Sequence, residues 1–270
     1  MSNNKTTEPQ KIKGKLLISL LTKNSTTYLP YVLKNVEKYA NLFEDYFCLI
    51  VDGFSTDNTY LITKSWIKCD PLKRYFTTQP SSNLPRGESL NEARNFVIEF
   101  LKPQFGEDVY LLLLDSDSPN AVPINTQGFL TGFNSSSAPN WSALFCNQKN
   151  DKYYDILALR DSTLTENYQL KYRKLSWHNG SMQNALKKYE TTKTHPTGFY
   201  PVESAFSGAG LYKTIDIKDA KYQCSTDWTN PDDNKVYKVF ECEHVPFHKD
   251  IIKNGGKLYI NCNWFIGSHN

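Results

Sequence analysis

Two carboxylates one residue apart, Asp115 and Asp117, follow the apolar run Val109-Tyr110-Leu111-Leu112-Leu113-Leu114 and precede Ser118-Pro119. In extended chain, residues i and i+2 point the same way, so both side chains can reach one object. Two facing anions repel unless a cation lies between them. Oxygen donors suit a hard divalent ion, Mg2+ or Mn2+, that also holds a diphosphate. The plainer reading of the same residues is a turn after a strand, where Asp and Ser are common anyway. His244 and His248 lie four residues apart. If both are helical they share a face, and a neutral imidazole from either would complement the two carboxylates as a metal ligand. Ser204-Ala205-Phe206-Ser207-Gly208-Ala209-Gly210 is a run of mostly small residues that lets a ligand approach the backbone. Ser207, Gly208 and Gly210 are therefore candidates to line a donor or acceptor pocket.

The elements that must position these groups can be read from periodicity. Lys15 to Thr22 is a short apolar strand, Tyr28 to Leu42 a helix with Pro30 in its first turn, and Tyr46 to Gly53 a second strand ending in Asp-Gly. Thr56 to Lys68 is a second helix capped by Thr56 or Asp57, Tyr75 to Thr78 a short strand, and Leu90 to Leu101 a third helix. Val109 to Leu114 then reads as a strand buried on both faces. This β-α-β-α order predicts a doubly wound, mostly parallel sheet. It puts Thr22-Lys23-Asn24, Asp52-Gly53-Phe54-Ser55 and Asp115-Ser116-Asp117 at carboxyl ends of strands, where such sheets bind ligands. The second half is less periodic. Trp141 to Cys146, Tyr153 to Arg160, Tyr237 to Cys242 and Lys257 to Cys262 read as strands, and Pro246 to Asn254 as a helix ended by Gly255-Gly256. Asp155 and Arg160 read as a structural pair. Trp141, Trp177 and Trp264 read as core, although each could stack on a sugar. His178, His195 and His269 carry no comparable context.

The chain of 270 residues is 39% hydrophobic and 22% charged, an ordinary globular composition. A net charge of +3, with Lys and Arg scattered, argues against nucleic acid as partner. The aromatic content of 14% suits stacking on a nucleobase or sugar as well as packing. Six cysteines show no CxxC pair and no zinc-like spacing, so reduced thiols and a cytoplasmic, soluble protein are expected, with a Cys242–Cys262 disulfide not excluded. Residues 1–13 read as a disordered tail without a signal-peptide core, and no segment reaches the length of a membrane span.

The order of Val51-Asp52-Gly53-Phe54-Ser55-Thr56-Asp57-Asn58-Thr59, Ala93-Arg94-Asn95, the run into Asp115-Ser116-Asp117, and a late carboxylate before a helix resembles GT-A-fold glycosyltransferases of the family-2-like kind. Residues 154–160, 202–208 and 241–248 resemble a narrower group, the fungal capsule-associated mannosyltransferase-like enzymes and glycosyltransferases of large DNA viruses. The likeness spans about residues 15–265. It implies an α/β GT-A fold: a single Rossmann-like, mostly parallel central sheet flanked by helices, with a smaller acceptor-side β region. One domain would cover 14–270, with a nucleotide-binding half at about 14–120 and an acceptor half at about 121–270.

It further implies a metal-dependent transfer of a hexose from a UDP- or GDP-sugar to a hydroxyl of a glycan or glycoprotein, with inversion. Asp52 would contact the uracil or ribose, Arg94 and Ser116 the nucleotide sugar, and Asp117 with Asp115 an Mn2+ or Mg2+ at the diphosphate. Glu243 would be the base, although the motif reads Glu-His where Glu-Asp or Asp-Asp is usual; the plainer role for Glu243 is a helix cap. If the chain is viral, it would act in the host cytoplasm or the virion. A nucleotidyltransferase is the rival enzyme, but Thr22-Lys23-Asn24-Ser25 lacks the glycines of its phosphate loop. A non-catalytic sugar-binding protein of the same fold is the other alternative.

Overall fold

The computed structural model describes residues 11–148, 153, 155–171 and 180–267. Ten strands are found among them: β1 (Ile12–Thr22), β2 (Phe43–Asp52), β3 (Arg74–Thr78), β4 (Val109–Asp115), β5 (Ala143–Gln148), β6 (Phe199–Val202), β7 (Ala209–Lys213), β8 (Ser225–Thr229), β9 (Val236–Phe240) and β10 (Leu258–Ile266). The four longest helices are α1 (Leu29–Ala40), α2 (Thr59–Ile67), α3 (Arg86–Leu101) and α4 (His244–Lys253). Eight strands form one sheet in the order β3-β2-β1-β4-β7-β5-β10-β6, and β8 and β9 pair separately as a hairpin. β3, β2, β1 and β4 are mutually parallel, whereas β7 runs antiparallel between β4 and β5. β10 is parallel to β5, and β6 closes that edge antiparallel.

The leucine run of β4 is explained by the two faces of this sheet. Leu111 and Leu113 pack with Val97, Ile98 and Leu101 of α3 and with Val245, Phe247 and Ile251 of α4. Leu112 and Leu114 face the other way, onto Val32, Leu33 and Val36 of α1. A strand covered on both sides has no polar face to show, which is why alternation is missing from its sequence.

Several expectations are corrected here. β1 begins at Ile12, inside the stretch read as tail, while residues 1–10 lie outside the described residues. The described part of the expected strand at Tyr153 to Arg160 is a turn over residues 156–158, followed by a single bridge between Arg160 and Ser204. Tyr153, Ile156, Ala158 and Leu159 are buried there, so the apolar content came from packing of irregular chain. α4 starts at His244, two residues earlier than the proline suggests. Tyr237 to Cys242 falls largely in the detached hairpin, where β9 is mostly exposed. Trp141 and Trp264 are core residues that donate to Gly132 O (2.8 Å) and Tyr39 Oη (2.9 Å), so neither is open to a sugar. Trp177 lies outside the described residues. All six cysteines are free. No helix among the described residues is long and apolar enough to cross a membrane.

Arg160 does not pair with Asp155. Its guanidinium donates to Glu241 Oε1 (2.6 Å) and to the carbonyls of Leu157 (3.2 Å) and Leu159 (2.6 Å), with side-chain exposures of 1% for Arg160 and 2% for Glu241. The pair ties the irregular segment to the chain just before α4. Removing one member of a buried pair strands the other charge, at a cost of about 3–5 kcal/mol. Glu241→Ala is therefore expected to lower stability by that amount in urea denaturation, and the midpoint of thermal unfolding by roughly 10 °C or more. Replacing both residues with apolar ones, Arg160→Met with Glu241→Leu, should recover much of the loss.

Candidate functional site

The carboxyl ends of β2, β1 and β4 lie side by side because the strands are parallel and in register: Thr22 is opposite Asp52, and Leu21 opposite Asp115. With strands about 4.8 Å apart, Asp52 and Asp115 stand roughly 10 Å apart on one sheet edge. The loops that leave these ends are latched together. Asp52 is 4% exposed and accepts from Thr22 Oγ1 (3.0 Å), Ser55 N (2.8 Å) and Ser55 Oγ (2.6 Å). Asn24 donates from its backbone to Ser55 Oγ and accepts from Thr56 N, both at 2.8 Å. Ser116 donates to Leu21 O (2.8 Å) and bonds Ser25 Oγ (2.8 Å). Both Asp52 and Ser116 thus hold the loops that border the edge, a role the sequence did not assign them.

Arg94 extends the buried stripe of α3, formed with Val97, Ile98 and Leu101, by one turn beyond the apolar core. A cation at such a position demands anions. Its Nε donates to Glu243 Oε1 (2.9 Å), and a terminal nitrogen lies 3.6 Å from Asp115 Oδ1. The guanidinium sits over the rings of Phe206 (4.9 Å) and Tyr222 (5.9 Å). Burial alone would lower its pKa, but Glu243 and Asp115 hold it above the usual value. Glu243 makes no side-chain cap to α4, so the plain capping role is not what occupies its carboxylate.

The loop between β6 and β7 closes over Asp115. Ser207 (φ +55°) and Gly208 (φ +92°) both adopt the left-handed conformation, which turns the Gly208 carbonyl toward β4. That carbonyl accepts from Asp115 N (2.9 Å) and from Asn120 Nδ2 (2.8 Å). Ser207 N donates to Asp155 Oδ2 (3.3 Å). Asp155 was not among the sequence candidates for the site, yet it feels the charges of Glu243 and Arg94, and Asp115 feels those of Arg94, Asp117, Asp155 and Glu243. The Asp155 pKa is raised to about 6, by burial first and by Glu243, against backbone hydrogen bonds from Ala158 and Ser207 and the charge of Arg94. The Asp115 pKa is pushed up to about 7: burial dominates, Arg94 opposes it, and Asp117, Asp155 and Glu243 add to it. The one advance signal for such a cluster was a lone arginine on a core-facing stripe.

The two histidines part company. His248 is fully buried, with Nδ1 bonded to Ser204 Oγ (2.8 Å) and Nε2 to Tyr212 Oη (3.0 Å), so neither nitrogen is left for a metal. Burial, with Arg94, drops its pKa to about 3. His244 stacks on Phe206 (centroids 4.0 Å apart), and neither ring nitrogen has a hydrogen-bond partner among the described residues. Burial first, then Arg94 and His248, keep it neutral, so its 3.8 Å approach to Glu243 is not an ion pair. No group of three or more His, Cys, Asp or Glu among the described residues is arranged to hold a metal ion. His195 bonds Thr197 on the surface, and His178 and His269 lie outside the described residues. Asp115 and Asp117 bring oxygen donors of the kind a hard divalent cation takes, and the field of Asp117 is felt at Asp115.

No family model matches the sequence, and no curated protein matches it. Among solved structures, S. aureus TarS 1–349 in complex with UDP-GlcNAc superposes with a TM-score of 0.50 at 15% identity, covering 95% of this chain and 59% of that one. The fold is GT-A. The mannosyltransferase PcManGT from Pyrobaculum calidifontis, in complex with GDP-Man and Mn2+, gives a TM-score of 0.49 at 10% identity over 94% of this chain and 56% of that one. The present chain thus spans less than two thirds of either neighbour. The mostly parallel sheet anticipated from the first half of the sequence is present here, with the reversed β7 in its middle.

Between pH 3.8 and about 7 the folded chain keeps a proton on Asp115 that the unfolded chain has released, so this residue lowers stability as pH rises through that window. Asp115→Asn is expected to stabilise the metal-free protein by about 1 kcal/mol at pH 8, about 2–4 °C in thermal unfolding, and to change little at pH 4. Melting curves at the two pH values measure the difference.

Proposed function

We propose that the chain is a metal-dependent, inverting glycosyltransferase that moves a hexose from a UDP- or GDP-sugar to a hydroxyl of a glycan or glycoprotein. The observation that carries this reading is the group of carboxylates, Asp115 and Asp117 foremost, at the carboxyl edge of the GT-A sheet. Asp115, its pKa raised by burial and by neighbouring carboxylates, lies at the point where such sheets take their ligands. The neighbour that reaches a TM-score of 0.50 is bound to UDP-GlcNAc, which supports a nucleotide-sugar donor here. The narrower kinship with fungal capsule-associated and large-virus enzymes rests on the sequence motifs.

In this reading Asp115 and Asp117 hold Mn2+ or Mg2+, which when bound neutralises the departing diphosphate as a Lewis acid. The chain's own residues do the rest. Asp52, fixed by Thr22 and Ser55, shapes the loop that receives the nucleoside and offers its remaining lone pair to the base or ribose. Arg94, clamped by Glu243, presents a fixed positive charge beside Asp115 and draws the diphosphate to the edge. The Ser207-Gly208 backbone walls the sugar side and orients it against the acceptor, an alignment that carries much of the rate.

Thermal shift with UDP-glucose, UDP-N-acetylglucosamine and GDP-mannose, each with and without Mn2+, tests the proposal. One donor should stabilise the wild-type protein by about 2.7 kcal/mol at a hundred times its Kd, and only with metal. Asp115→Asn combined with Asp117→Asn should abolish the metal dependence while leaving the protein folded. Binding of no donor under any condition would refute the reading.

A further inference from the structure

An inverting transfer needs a carboxylate that meets the acceptor hydroxyl, and Glu243 is badly situated for that task. Its Oε1 accepts from Arg94 Nε at 2.9 Å, its Oε2 faces Cys242 Sγ at 3.7 Å, and the residue is 6% exposed. Releasing it would leave a buried guanidinium short of its closest anion.

Asp155 differs in each respect. It is half-buried, and its two oxygens accept long backbone hydrogen bonds, from Ala158 N and Ser207 N, both at 3.3 Å. A carboxylate has about four acceptor positions, so lone pairs remain for a hydroxyl. Through Ser207 it is joined to the loop whose next residue, Gly208, accepts from Asp115 N, so Asp155 adjoins the edge assigned to the donor. Asp155 thus lies beside the donor edge with acceptor capacity to spare.

We propose that Asp155 is the general base of the transfer, an assignment that rests on the glycosyltransferase reading above. Its carboxylate takes the proton of the acceptor hydroxyl while the acceptor oxygen bonds to the anomeric carbon. The bond from that carbon to the diphosphate oxygen breaks, and the nucleoside diphosphate leaves with the electron pair. The proton then passes from Asp155 to solvent. Glu243 acts through Arg94 and is a positioning residue.

The test compares Asp155→Asn, Asp155→Ala and Glu243→Gln by release of UDP or GDP from the donor identified by thermal shift, with Mn2+, and with water or a panel of methyl glycosides as acceptor. Asp155→Asn should lose about 10²–10⁴-fold in kcat with the donor KM within about threefold of wild type. Sodium formate should restore part of the activity of Asp155→Ala and none to Glu243→Gln, whose loss should fall on donor KM as well. Melting curves confirm that each variant is folded, and Asp155→Asn retains an oxygen for Ala158 or Ser207. Wild-type-like turnover in Asp155→Asn, or formate rescue at position 243 instead, would overturn the assignment while the donor binding of the wild type still upholds the proposed function. Failure of the wild type to bind any donor would overturn both.

Discussion

The constraint on which the site depends is a buried guanidinium. Arg94 projects from the end of the α3 stripe into a space that apolar packing does not fill, and an isolated cation there would be strongly disfavoured. It is accommodated because Glu243 reaches it from the start of α4, Asp115 from the end of β4, and Phe206 and Tyr222 supply aromatic faces. Three segments far apart in sequence are therefore fixed relative to one another by one charge. Among the described residues, Asp115, Asp155 and Glu243 share the field of Arg94, and Asp117 adds its own to that of Asp115.

The second constraint is topological. β7 enters between β4 and β5 in the opposite direction, so the chain must turn sharply just above Asp115. Ser207 and Gly208 make that turn with positive φ, and the carbonyl so exposed is taken up by Asp115 N and Asn120 Nδ2. Asn120 also donates to Asp115 O (3.0 Å), which fastens the short helix Ser118–Ala121 to the same point. The carboxylates are thus carried on backbone held from two sides, the condition for a precise ligand geometry. The loops after β1 and β2 obtain the same rigidity differently, through Asp52, Asn24 and Ser116 acting as side-chain latches.

Histidine chemistry shows how burial selects among residues that look equivalent in sequence. His244 and His248 share a helical face, yet one stacks on Phe206 and the other is bonded at both nitrogens in the core. Both are neutral for the same reason, desolvation in the company of Arg94. Neither therefore adds charge to the sheet edge.

The sequence by itself determined the alternation of strands and helices through β4 and the convergence of Asp52 and Asp115 on one edge. These follow from local periodicity and from the parallel pairing that short β-α-β connections impose. It also marked Arg94, Ser207, Gly208 and Glu243, which the fold does bring together. Tertiary structure alone decided the rest. That Arg160 pairs with Glu241 and not Asp155, that His248 is a core residue, and that Asp155 joins the carboxylate group all depend on contacts across the sheet. Periodicity reports which side of an element is buried, whereas the partner of a charge is set by which distant segment packs against it, and no spacing within the chain encodes that.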